Sequence, residues 1–157
     1  AYQEVKEQKY LDYAIAEINN AIKLDPYNYN WYTYKAEYLL EKGKLEEAMA
    51  ALQEGSEYIY RFENDAFEKT AQILTRISDR FNQQGANNKA KFAMESVLEL
   101  WEKAQDQMAA VPNKYLELWQ QPEVLTEYDP LVLEVIKAYK FLGDTQKANE
   151  LYELLSS

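Results

Sequence analysis

At 157 residues and 47% apolar content, the chain has the material for a packed core without a metal or disulfide staple. It contains no cysteine and no histidine, so a disulfide framework, the usual zinc ligands and the common nucleophile–base pairs are all missing. A formal net charge of -10 repels the phosphates of nucleic acids and of anionic lipids, and neither is expected as a partner.

No apolar run approaches the length of a membrane span, so direct insertion of this segment is not expected. The chain starts at Ala1 rather than Met, which reads as an excised or processed start. Catalysis has little to work with. Glu46 and Glu47 are adjacent on a helix and point apart, and there is neither a calcium loop nor a glycine-rich phosphate loop. No enzyme activity, metal or cofactor is expected.

Residues 1–9 are polar and helix-compatible, and read as the tail of one helix. The next is expected from about Tyr10 to Lys23, with Leu11, Ala14, Ile15, Ile18, Ala21 and Ile22 on one face. Pro26 disfavours helix at Asp25 and closes it. Asn28 and Asn30 are both candidate caps for a helix over 30–42, striped by Trp31, Tyr34, Tyr38 and Leu39. Gly43 supplies its left-handed end, and a short link forces an antiparallel partner over Leu45 to Tyr60, with Ala48, Leu52 and Ile59 inward.

Asn64 is the candidate cap of the next pair. Phe67, Ala71, Leu74, Ile77 and Phe81 recur at helical spacing up to Gly85. Ala90, Met94, Val97, Trp101, Ala104 and Met108 continue after it. Residues 110–129 hold two prolines, with Pro130 just beyond, and read as an irregular excursion with one short helix. Asp129 as cap and Pro130 at the first helical position restart regular structure. Leu131, Val135, Ile136 and Tyr139 then lead to Gly143, and Ala148, Leu151, Tyr152 and Leu155 mark the last helix.

One idea recurs along this chain. Ala14 and Ala48 lie about 34 residues apart, the period of a two-helix repeat. A small residue follows each at the same step, Ala21 and Gly55. Ala90 follows Ala48 with about eight residues more than that period, which reads as helix extension. The chain resembles the tetratricopeptide repeat family. The unit from Tyr29 offers Tyr32, Ala36, Gly43, Ala48, Leu52 and Gly55 at that family's positions, and the last unit offers Val132, Val135, Tyr139, Gly143, Ala148 and Tyr152. Lys35 and Tyr60 depart from the family's usual Leu and Pro. The resemblance implies an all-α solenoid of antiparallel helix pairs in one domain: a half repeat over 1–26, then repeats over about 29–62, 64–109 and 130–157, with the insert at about 110–129. Small residues let helices approach, and no pair can bury its apolar side alone.

The resemblance also implies that the first helix of each pair lines a concave groove for an extended peptide or a partner protein segment. Carried over by position, the groove candidates are Asn30, Thr33, Tyr34, Glu37, Gln72, Thr75, Arg76, Asp79, Leu133, Lys137 and Lys140. The other reading of the same residues is a solvated helix face. Asn30, Thr33 and Glu37 lack the basic pair with which some family members hold a peptide carboxylate, so chaperone-tail recognition is disfavoured. The 14 tyrosines crowd toward the first third of the chain, and their amphipathic rings suit either a core or an interface.

Two further readings stay open. The run AIAEINNAIKLDPYNYNWYTYKAEYLLEKGKLEEAM is similar to the extracytoplasmic repeat region that ends bacterial O-antigen ligase or polymerase-type membrane proteins, which implies an accessory role in glycan assembly outside the cytoplasm. Without that resemblance a cytoplasmic location is expected. The truncated first pair also leaves an apolar helix face that would suit a homodimer.

Overall fold

A computed structural model describes residues 2–60, 64–109 and 129–156. The described residues form seven α-helices and no strand. The arrangement is an all-α, helical repeat-like fold, and the chain divides into two compact units, Ala1–Tyr60 and Arg61–Ser157.

The first unit holds α1 (Tyr2–Leu24), α2 (Tyr29–Glu41) and α3 (Leu45–Ser56), with α2 packed on both neighbours. α1 is one continuous helix, not a short tail followed by a second helix at Tyr10. Nothing between Lys9 and Leu11 breaks helix; the apolar stripe merely begins there. Leu11 is buried, and Ala14, Ile15, Ile18, Ala21 and Ile22 are half-buried. Asp12 on α1 pairs with Lys42 at the end of α2.

Asn28 caps α2 by accepting from the Asn30 backbone N–H at 3.0 Å, and its amide donates to Asp25 at 3.2 Å. The buried stripe of α2 is Tyr32, Thr33, Ala36, Leu39 and Leu40, not the expected Trp31–Tyr34–Tyr38 line. Tyr34 lies exposed, and Trp31 and Tyr38 are half-buried. α3 stops at Ser56 rather than Tyr60, but Ile59 beyond it is still buried, as are Ala48 and Leu52. Gly55 brings α3 against α2 so closely that an added Cβ would meet Tyr32 Cβ at 2.4 Å.

The second unit holds α4 (Asn64–Gln83), α5 (Asn87–Ala109), α6 (Asp129–Phe141) and α7 (Thr145–Ser156). α4 pairs with α5 and α6 with α7, and α6 packs on both α4 and α5. Phe67, Ala71, Leu74, Ile77 and Phe81 are buried on α4, and Ala90, Met94, Val97 and Ala104 on α5. Fully burying a side chain such as Phe67 or Ile77 stabilises by about 1.5–3 kcal/mol. The Ser78 hydroxyl donates to the Ala90 carbonyl at 2.8 Å, tying α4 to α5 where both carry small residues. Val132, Ile136 and Ala148 form a cluster closed by Trp101, Tyr139, Leu151 and Leu155. Tyr152, expected along the inner stripe of α7, points outward and is exposed, because it falls one residue past Leu151 on the helix. The expected excursion over 110–129 and its short helix fall outside the described residues, apart from Asp129, where α6 starts.

Both units use one turn. At Gly43, Gly85 and Gly143 the backbone is left-handed, with φ of 80, 76 and 86°. Each glycine N–H donates three residues back, and the next N–H donates five back, as in Lys44 to Leu39, Ala86 to Phe81 and Asp144 to Tyr139. Five residues past each glycine stands an alanine with no exposed surface: Ala48, Ala90 and Ala148.

Candidate functional site

Turn glycines give a common register for the groove candidates. Asn30, Thr33, Tyr34 and Glu37 on α2 sit at the steps from Gly43 that Gln72, Thr75, Arg76 and Asp79 on α4 take from Gly85. Leu133 and Lys137 on α6 repeat two of those steps from Gly143, and Lys140 lies one turn beyond.

In the first unit the candidates are not equally open. Thr33 is buried, and its hydroxyl donates to the Asn30 carbonyl at 2.9 Å. Its place in the inner stripe of α2 takes it out of reach of a ligand. Asn30 and Glu37 are half-buried, whereas Tyr34 is exposed with its ring 6.5 Å from Trp31. Val5, Tyr10 and Tyr13 of α1 are exposed, whereas its apolar stripe from Leu11 to Ile22 is buried or half-buried.

The second unit brings its candidates together. Arg76 and Asp79 are exposed on α4, and Gln72 is half-buried with its amide on Glu68 at 3.3 Å. Leu133, Lys137 and Lys140 are exposed on α6, spaced as one helix face. Thr75 is buried between the two helices. Its hydroxyl stands 2.8 Å from the Ala71 carbonyl and 2.6 Å from Glu134 Oε2, so one proton serves two acceptors. The other Glu134 oxygen accepts from Lys137 Nζ at 3.1 Å. Thr75 is therefore part of the floor rather than a ligand contact.

Glu134 was not among the sequence candidates. It occupies the same step before Gly143 that Arg76 occupies before Gly85 and Tyr34 before Gly43. Counting back from the glycine would have found it. A carboxylate at 8% exposure needs partners, and Thr75 and Lys137 supply them. With Glu134 and Lys137 engaged with each other, the remaining exposed charges among the candidates of this unit are Arg76 and Lys140 against Asp79. These residues carry a small positive balance on a chain of net charge -10.

Among the described residues no group of acidic side chains is placed to hold a metal ion, and no helix is long and apolar enough to cross a membrane. No protein-family model and no curated protein matches the chain.

Proposed function

We propose that this chain is a tetratricopeptide-like interaction module, and that its second unit holds an extended, acidic peptide along the α4–α6 face. The observation that carries this reading is the Thr75–Glu134–Lys137 linkage. It joins the first helices of two successive pairs side by side and leaves polar side chains on both helices facing solvent. Arg76, Lys137 and Lys140 offer charged hydrogen bonds to carboxylates, and Leu133 offers an apolar contact. The floor is buried and hydrogen-bonded, so a peptide would pay little for ordering these side chains when it binds.

Selection from a random peptide display library on the immobilised chain tests this. The selected peptides should be rich in Asp and Glu. Arg76→Glu with Lys137→Glu should weaken them about tenfold or more, as loss of charge-paired anchors does. Lys91→Glu on the exposed side of α5 should leave them unchanged. Peptides that bind the double variant as tightly as the parent would refute the assignment.

A further inference from the structure

A second surface lies wholly within the first unit and has no part in the α4–α6 face. Tyr32 is buried, and its hydroxyl donates to the Pro26 carbonyl at 2.8 Å. Its ring lies 5.4 Å from that of Tyr58. Tyr58 in turn meets Tyr27 at 5.5 Å and 70°, and Tyr60 at 6.4 Å and 65°. Tyr27 and Tyr60 are 66% and 73% exposed. Two exposed rings thus stand at steep angles to the half-buried Tyr58, which also contacts the buried ring of Tyr32. Exposed carboxylates flank them: Asp25 in the same loop as Tyr27, and Glu54 on the last turn of α3.

We propose that this tyrosine ladder is a docking surface for a proline-rich peptide carrying arginine or lysine beside its prolines. Rings held at steep angles leave notches that match the ridged, preformed polyproline II helix, which docks on aromatic grooves at low entropic cost. Tyr58, held against the buried Tyr32, loses little freedom on binding. The carboxylates decide the occupant. A cationic flank gains from Asp25 and Glu54, whereas a neutral sugar, the other common guest of exposed rings, gains nothing from their charge.

The test is fluorescence anisotropy with a labelled peptide of prolines ending in two arginines. Saturable binding is expected. Tyr27→Ala and Tyr60→Ala should each weaken it about tenfold, the scale of an aromatic anchor. Both side chains are exposed, so unchanged helical circular dichroism should accompany the loss. Asp25→Asn with Glu54→Gln should weaken it several-fold at low salt, and less at high salt. Lys137→Glu in the second unit should have no effect. The proposal is overturned if a peptide with serine for every proline binds equally well, or if no saturation occurs below about 1 mM. It is also overturned if binding follows Lys137, or if Tyr27→Ala abolishes binding of a neutral oligosaccharide while the peptide does not bind.

Discussion

The two units solve one packing problem differently. Twelve residues past the turn glycine, the second helix of each pair crosses the first. In the first unit that position is Gly55, and it faces the Cβ of Tyr32. In the second unit the same position is Val97 after Gly85 and Leu155 after Gly143, and the positions matching Tyr32 are Leu74 and Val132. Val97 and Leu74 are buried, and Leu155 packs on the cluster that contains Val132. A residue without a Cβ thus sets a closer approach of α2 and α3 at this point. The ring at position 32 is also long enough to reach Pro26 and Tyr58, which neither Leu74 nor Val132 could do in its own pair.

The largest effect is expected at that crossing. Gly55→Ala places a carbon 2.4 Å from Tyr32 Cβ, an atom that no rotamer change can move. Overpacking of this kind should destabilise by about 3 kcal/mol, read from urea unfolding. Adding Tyr32→Leu should not restore stability, because leucine keeps the offending Cβ. Val97→Ala in the second unit should instead cost about 1–2 kcal/mol by leaving a cavity. The same residue would then be too large in one unit and too small in the other. Full recovery in the double variant would show that side-chain volume, not backbone spacing, separates the units.

These positions also show what a sequence can disclose. Gly43, Gly85 and Gly143 were readable as helix ends because a left-handed residue is a local demand. Ala48, Ala90 and Ala148 were readable because a helix contact with no room for a larger side chain selects them at a fixed step from each turn. Tyr34 was misplaced for the opposite reason. Aromatics at 29, 31, 32, 34 and 38 carry no clean period, so only the count from Gly43 assigns Tyr32 and Thr33 to the core. The apolar period of α1 marks where it is buried and not where it is helical, so its first turns, with Val5 55% exposed, leave no such signal. Glu134 was missed because its partner, Thr75, lies on another helix pair. Much the same holds for the ring contacts of Tyr58, two of which reach back beyond α3 to Tyr27 and Tyr32.

The turns, unlike the helix crossings, are alike in both units. A Cβ added at Gly43, Gly85 or Gly143 meets nothing within 4 Å. Only backbone strain therefore opposes alanine, at about 1–2 kcal/mol for a left-handed residue. Gly43→Ala and Gly85→Ala should cost the same to within about 0.5 kcal/mol in urea midpoints. Unequal losses would mean that the flanking helices, which differ between units, govern the turn.

The smallest effect belongs to the tyrosine that only the first unit has. Tyr32→Phe keeps the ring and removes the hydrogen bond to Pro26, worth about 1 kcal/mol. Its pH dependence is more telling than its size. Burial first, then Glu54 and Tyr58, push the Tyr32 phenol up to about 12. An unfolded chain releases that proton near 10. Between these values the folded state binds more protons than the unfolded one, so stability falls as pH rises. The contribution is whole below pH 10 and is lost through pH 12. Tyr32→Phe lacks this loss, so the gap between parent and variant should narrow steadily over that window. A gap that stays constant from neutral pH to 12 would place the phenol in contact with water in the folded chain, and would remove the brace on which the tyrosine ladder stands.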